Sequence, residues 1–394
     1  PTQQEQVAGN EVRLLDRGDY GTEFYSAYNV VVMLPFLSQR FNPNSSEIYD
    51  NSYWALNYYG GVQMALDELM QQGVKLNMTI MDNKASPREV SSLLNTRSEL
   101  FNAHMIIGNY RSENVELVAE FARRNDITYV SPHSASSKVG SSNPNYVQVS
   151  PTLQTHAEVI TEHARNTYGR KNLVLVSLDK PVESARFNYF QNANFMMEGI
   201  QEDSVMLREY VVEEGSADFN NINLRPYITP GDTTVFIVPS WASETFVYAL
   251  LSQAKLARGE APDSYVAFYG MPQWQEYDRI DLNLYEDMNV HISSDTYLDP
   301  YDQDVQVFRR QFFERYGLPP GNEAYLGYDV MRYFGRMIEK HGTKFQYMLN
   351  QEPEPVLHTR FHFKRVSEPA RGRSVETLPI ERFENKYVNI LKFQ

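Results

Sequence analysis

Apolar positions in this chain fall into short continuous runs, each followed by a polar loop and then by a stretch of helical spacing. The run Asn29-Val30-Val31-Val32-Met33-Leu34 reads as a strand buried on both faces and stops at Pro35. From Ser52, the residues Leu56, Tyr59, Val62, Met64, Leu66 and Leu69 predict an amphipathic helix that Gly73 can end. Leu76, Met78 and Ile80 alternate with polar residues and predict a second strand, ending at Asp82-Asn83. A helix over Pro87–Phe101 leads into Ile106-Ile107-Gly108-Asn109-Tyr110-Arg111-Ser112, a third strand that breaks into a loop. Val115, Val118, Ala119 and Ala122 give Glu113–Asn125 helical spacing, and Tyr129-Val130-Ser131 is a fourth strand running into Pro132-His133-Ser134-Ala135-Ser136-Ser137. The order β-α-β-α-β-α-β predicts a doubly wound parallel sheet over the first 150 residues. In such sheets ligands bind outside the carboxyl ends of the strands. The helix start after Ser112 and the hydroxyls of Ser112, Ser131, Ser134 and Ser136 suit an anionic or polar small ligand there. The same residues also serve as ordinary turns and helix caps.

A second series begins after the turn Ser141-Ser142-Asn143-Pro144-Asn145 and a short extended piece, Tyr146–Ser150. The pattern predicts helices over Thr155–Tyr168, Ala185–Met197 and Ser240–Ala257, with a weak one over Asn220–Tyr227. It predicts strands at Leu173–Ser177, Val205–Tyr210, Thr234–Val238, Tyr265–Tyr269 and Asn289–Ser293. Two further helices, Tyr301–Tyr316 and Asn322–Lys340, precede strands at His358–Lys364 and Tyr387–Phe393. Strand ends again carry small or polar residues, as in Ser177-Leu178-Asp179, Pro239-Ser240-Trp241 and Gly270-Met271-Pro272. The fold class expected is α/β, with two Rossmann-like lobes.

Length and composition narrow the function. At 394 residues the chain has room for two domains, and 42% hydrophobic residues place it among folded proteins. Fifty acidic against thirty-six basic residues give a net charge of −14, which argues against nucleic acid as a partner. The absence of cysteine excludes disulfides, thiolate metal sites and cysteine nucleophiles. No apolar run approaches the ~20 residues of a membrane-spanning helix. Residues 1–26, which begin Pro1-Thr2-Gln3-Gln4 without a leader, read as a tail or linker of a mature or trimmed chain.

Catalytic patterns are missing: there is no G-x-S-x-G elbow, no Walker-type loop and no H-E-x-x-H. His358 and His362 sit on one strand about 13 Å apart at ~3.3 Å per residue, too far to share a metal. His133 and Ser134 are adjacent in sequence, so they do not readily face each other as base and nucleophile. Neither enzymatic activity nor a cofactor or metal is expected.

The pieces Ile107-Gly108 with Ser112, Ile127-Thr128-Tyr129-Val130-Ser131-Pro132, Val147-Gln148-Val149-Ser150-Pro151-Thr152 and Tyr325-Leu326-Gly327-Tyr328-Asp329-Val330 resemble the type I periplasmic binding proteins, the leucine-binding-protein-like family. Ala55-Leu56-Asn57-Tyr58-Tyr59-Gly60-Gly61-Val62-Gln63-Met64-Ala65-Leu66-Asp67 and Asn143-Pro144-Asn145-Tyr146 resemble a narrower Bacteroidetes branch. There the domain often follows LysM repeats, and it is similar to penicillin-binding-protein activators. The resemblance covers roughly residues 27–394 and implies a Venus-flytrap pair of lobes joined by three hinge crossings and closing on a small molecule. It implies lobe 1 from 27–150 plus 299–365, and lobe 2 from 151–298 plus 366–394. Carried over by position, lobe 1 offers Tyr110, Arg111, Ser112, His133, Ser134 and Ala135 to the ligand; lobe 2 offers Asp179, Phe187, Ser240, Trp241 and Met271. Arg111 adds a bidentate clamp for a carboxylate or phosphate.

One departure bears on the ligand. Amino-acid binders usually place an acidic residue where Met271 stands, and a buried ammonium without a partner costs several kcal/mol. Tyr110, Trp241, Trp274 and Tyr297 fit a sugar, a muropeptide fragment, an aromatic ligand or no ligand at all better than a plain branched-chain amino acid. The partner expected is a small polar molecule: an amino-acid derivative, a sugar or a muropeptide fragment.

The resemblance implies a non-enzymatic solute-binding protein of the periplasm or cell envelope of a Gram-negative bacterium. It would work with an ABC permease or as a sensor, and a lipoprotein anchor in the full-length form is compatible with this. The alternative is an envelope interaction module that regulates or anchors to peptidoglycan synthesis, with a vestigial cleft. Its partner surface would lie in the loops Arg40–Asp50 and Arg365–Thr377.

Overall fold

The computed structural model describes residues 4–7, 10–14, 20–45, 48–137, 139, 142–198, 205–213, 219, 221–241, 243–261, 263–367 and 378–393. The chain divides into two compact units, Pro1–Pro151 with Tyr297–Tyr387, and Thr152–Thr296 with Val388–Gln394.

Unit 1 is built on a seven-stranded sheet. Strand Tyr28–Leu34 lies between Leu76–Asp82 and Met105–Gly108, and Thr128–Ser131 and Tyr146–Gln148 follow outward, all parallel. In chain order this is 2-1-3-4-5, so the sheet reverses direction between its first and third strands. Side chains of the central strand alternate between two cores, as a strand of period two must. Val30, Val32 and Leu34 pack with helices Asp50–Gln71 and Asn322–His341, while Val31 and Met33 pack with Pro87–Thr96 and Ser112–Arg124.

Unit 2 repeats the design. Its parallel strands Arg208–Val212, Leu173–Leu178, Thr233–Ile237, Tyr265–Gly270 and Val290–Ser294 also run in the order 2-1-3-4-5, with Asn389–Lys392 antiparallel at the edge. All six residues of Leu173–Leu178 are buried, as the continuous apolar run requires.

Four sequence readings change. The helix Asp50–Gln71 buries Ala55, Tyr58, Gly61, Val62, Ala65 and Leu69, whereas Leu56 is exposed. The buried face is rotated from the one marked by large apolar residues because it is a face of small ones. A methyl on Gly61 would stand 1.9 Å from the Ala324 carbonyl oxygen, and one on Gly327 would stand 2.1 Å from that of Tyr58. Those glycines, part of the resemblance motifs, let the two helices cross backbone to backbone. Next, residues 366–387 stay in unit 1, and the chain enters unit 2 for the last time at Val388. Arg382–Asn385 is a strand that pairs with Phe363–Val366 and Tyr146–Gln148. Its charged residues, Arg382 and Glu384, hid it from a hydrophobic reading; they are buried against each other at 2.8 Å. Finally, the expected tail holds strands Gln4–Val7, Asn10–Leu14 and Glu23–Phe24 in an antiparallel sheet. Of the expected helix over Asn220–Tyr227, the described residues form only one short turn, Arg225–Tyr227.

Candidate functional site

The carboxyl ends of the first three strands of unit 1 are tied together by polar groups in uncommon backbone conformations. Leu37, Lys84, Ala85 and Asn109 all have positive φ, between 49° and 65°. Such conformations cost free energy in non-glycine residues and cluster at functional sites. Gly108, at φ 129°, brings the turn so close that a side chain there would stand 2.1 Å from the Met33 carbonyl oxygen. Asp82 accepts N–H groups from Ser38 at 2.8 Å, Lys84 at 2.9 Å and Leu37 at 3.2 Å. Burial pushes its carboxyl pKa up, but these donors outweigh burial and hold it below the usual value. Asn83 donates from Nδ2 to Asn109 Oδ1 at 2.8 Å and accepts the Ala85 N–H on its own Oδ1 at 2.9 Å.

These loops frame a cavity of about 540 Å³, within the range of small-ligand sites. Its walls include Arg40, Tyr49, Trp54, Lys84, Tyr110 and Arg111. Trp54 is the hub, with ring centroids 4.6 Å from His133, 5.5 Å from Tyr110 and 6.3 Å from Tyr58. Arg111 lies along Tyr110, its Nε donating to the phenol oxygen at 3.4 Å, and the Arg40 guanidinium stands 5.9 Å from the Tyr49 ring. Lys84 is paired with Glu89 at 2.9 Å.

The sequence-predicted residues of unit 1 separate. Tyr110 and Arg111 face the cavity, and exposed Ser112 opens helix Ser112–Arg124, whose first turn has no side-chain cap from Arg111. His133 turns toward the helices: its Nε2 is 2.9 Å from Glu323 Oε2, and its ring packs on Trp54 and Tyr58. Ser134 is buried, and its Oγ accepts the Ser136 N–H at 3.5 Å; Ala135 is exposed. His133 Nδ1, Tyr58 Oη and both polar atoms of the Asn114 side chain are buried without a partner. Buried groups left unsatisfied are places for ordered water or for a ligand's polar atoms.

In unit 2 the positions carried over from the resemblance are mostly interior. Phe187 and Met271, 3% and 1% exposed, belong to the hydrophobic core, so neither presents a surface to a ligand. Trp274 is likewise buried, its Nε1 donating to the Ser240 carbonyl at 3.0 Å. Ser240 is buried and its Oγ donates to Glu183 Oε1 at 3.2 Å. The partly buried Trp241 lies under the Arg186 guanidinium, 5.0 Å from its ring centroid. Burial lowers the Arg186 pKa from its ordinary value, and Arg186 Nη1 donates to the Pro239 carbonyl at 2.7 Å. Asp179 is exposed at the end of its strand.

Sequence reasoning did not single out Trp54, Arg40, Tyr49, Lys84, Glu183 or Arg186. For Arg40 and Tyr49 the signal available is the length of the connection between strand Tyr28–Leu34 and helix Asp50–Gln71. Sequence periodicity could not show that the first turn of the next helix bends Trp54 toward it. His358 is bound up in the fold: its Nδ1 is 2.5 Å from Asp329 Oδ2, and both residues are buried. Among the described residues no group of three or more His, Asp or Glu is arranged to hold a metal. Nor is any helix there long and apolar enough to cross a membrane.

Comparison with known proteins agrees with this architecture. A periplasmic binding protein family model matches residues 50–225. No curated protein sequence matches significantly. Among solved structures, an ABC transporter substrate-binding protein from Desulfitobacterium hafniense in complex with Leu is 16% identical, with TM-score 0.56 over 93% of this chain and 98% of that one. An ABC-type branched-chain amino acid transporter from Rhodopseudomonas palustris is 12% identical, with TM-score 0.58 over 86% and 88%. A branched-chain amino acid ABC transporter periplasmic ligand-binding protein from Burkholderia xenovorans is 11% identical, with TM-score 0.56 over 92% and 94%. The two α/β units therefore carry the type I periplasmic-binding-protein fold.

Proposed function

We propose that this chain is a non-enzymatic extracytoplasmic solute-binding protein of the bacterial envelope, taking a small polar molecule for ABC-type uptake or for sensing. One observation carries the reading: the Trp54–Tyr110–Arg111 cavity lies at the switch point of the unit 1 sheet. Its loops hold four non-glycine residues at positive φ, Leu37, Lys84, Ala85 and Asn109, a costly conformation that recurs at functional sites. The solved proteins of similar fold named above are transport receptors, which supports the same class of activity.

A second reading, an envelope interaction module acting on peptidoglycan synthesis, draws on the loop Arg40–Asp50. Phe41, Ile48 and Tyr49 are 70%, 48% and 44% exposed there, as a protein-docking surface would have them. Most of the other loop expected for such a partner, residues 368–377, lies outside the described residues.

Thermal unfolding against amino acids, sugars, nucleosides, organic acids and muropeptides separates the two. A ligand at a hundred times its dissociation constant adds ~2.7 kcal/mol of stability. The receptor reading predicts a raised midpoint with one chemical class. No shift across the panel, with capture of a peptidoglycan-synthesis protein through Phe41 and Tyr49, would favour the module.

A further inference from the structure

The charge of the cavity is opposite to that of the protein. The chain carries fifty acidic and thirty-six basic residues, yet Arg40, Lys84 and Arg111 line the cavity against a single carboxylate, Asp50. Lys84 is neutralised by Glu89, but Arg40 and Arg111 make no ion pair among the described residues. Each instead lies along a tyrosine, Arg40 by Tyr49 and Arg111 by Tyr110, its centre 5.9 Å from the ring. Two guanidinium groups held beside aromatic faces and left without carboxylates are arranged for bidentate binding of an anion. The first turn of helix Ser112–Arg124 adds N–H groups of the same polarity beside Arg111. The buried Asn114 side-chain amide in that turn has both its donor and its acceptor unmet. The indole of Trp54 and the half-exposed ring of Tyr110 give the same cavity a flat apolar wall.

We infer that the solute is a small organic anion with a planar ring, an aryl carboxylate or aryl phosphate. Its charged group would sit on Arg111 and Arg40 and its ring against Trp54 and Tyr110. This rests on the receptor reading and narrows it. A zwitterionic aliphatic amino acid would bring its ammonium to a wall of three cations and one carboxylate, Asp50, and would offer no ring to the aromatic wall. A neutral sugar would leave both guanidinium groups without a counter-charge.

Calorimetric titration of the full chain with phenylacetate and phenyl phosphate tests it, with phenylacetamide, leucine and glucose as the neutral or zwitterionic comparison. At least one anion is expected to bind ten-fold or more tightly than phenylacetamide, and to weaken as salt is raised. Arg111→Gln, a change at an exposed side chain, should weaken the anion at least ten-fold and leave phenylacetamide unchanged. Trp54→Leu should weaken both. Circular dichroism melting of each variant shows that it is folded. Equal binding of phenylacetate and phenylacetamide, or an anion affinity indifferent to Arg111→Gln, overturns the inference. Binding of leucine or glucose but of neither anion overturns the ligand class and leaves the receptor reading standing. Absence of binding by all five solutes overturns the inference, and the receptor reading then stands or falls with the wider thermal panel. Which anion binds more tightly separates a carboxylate from a phosphate ligand.

Discussion

The indole of Trp54 lies 4.6 Å from the imidazole of His133, centroid to centroid, with the ring planes inclined by 51°. This contact joins the first turn of helix Asp50–Gln71 to the loop after strand Thr128–Ser131, and Glu323 holds the far side of the imidazole at 2.9 Å. One side chain therefore serves both as a wall of the cavity and as a brace for the loop in which sequence reasoning placed the site. Trp54→Leu is expected to lower stability by about 1 kcal/mol through loss of the aromatic pairs. It should also abolish any ligand-induced rise in melting temperature. Melting curves with and without ligand check both effects.

The close crossing of helices Asp50–Gln71 and Asn322–His341 predicts a sharp contrast among glycines. Gly61→Ala and Gly327→Ala drive a methyl into backbone carbonyls, at 1.9 Å and 2.1 Å, so the helices must separate. Each should cost about 3 kcal/mol or more in urea denaturation, at or above the usual range for overpacking. Gly259→Ala, at the last residue of helix Glu244–Gly259 with nothing within 4 Å, should be neutral or stabilising by up to about 1 kcal/mol.

Acid should weaken unit 2 before carboxylates titrate. His291 is stacked on Tyr269 with ring centroids 4.6 Å apart and its Nδ1 is 2.9 Å from the Asn289 carbonyl oxygen. Burial pushes its pKa down to about 4. Its folded-state pKa lies below the unfolded value of ~6.5, so only the unfolded chain gains a proton between those values. Stability is complete above pH ~6.5 and falls by about 3 kcal/mol as the pH approaches 4. Burial also lowers the pKa of His163, which adds in the same direction. Denaturation at pH 7 and pH 4.5 should show the loss, and His291→Gln should reduce it. Below that range Asp82, whose pKa is also depressed, adds a further loss as the pH falls through its folded value.

Asp329 is the buried acceptor that fixes the segment after Pro355 to helix Asn322–His341. It takes the Leu357 N–H at 3.0 Å, the His358 N–H at 3.2 Å and His358 Nδ1 at 2.5 Å. Asp329→Ala leaves the two His358 groups buried and unpaired, at about 1–3 kcal/mol for each, and takes its acceptor from the half-buried Leu357 N–H. Urea unfolding should place the variant among the least stable single substitutions, well below Asp304→Ala on the outer surface.

The fold was legible because its central strands are unbroken apolar runs. Asn29–Leu34, Met105–Gly108 and Leu173–Leu178 announce themselves, and Pro35, Gly108-Asn109 and Asp179 mark where they stop. What stayed hidden depends on partners distant in sequence. Arg382 and Glu384 form a strand only because they neutralise each other inside the sheet. The buried face of helix Asp50–Gln71 is small because another helix lies on it, and periodicity sees only large residues. In the candidate site, Tyr110 and Arg111 were legible from the strand end that presents them. Trp54, Arg40 and Tyr49 reach the same cavity from a loop and helix more than fifty residues earlier in the chain, a proximity that the sheet order creates.

The most direct measurement is peptide-level hydrogen exchange of the full chain, with and without the solute that gives the largest thermal shift. The account predicts new protection in residues 35–41, 49–54, 83–85 and 109–113, the loops that meet at the unit 1 switch point. Protection elsewhere in the chain, with those four segments unchanged, would contradict the assignment of this cavity as the solute site.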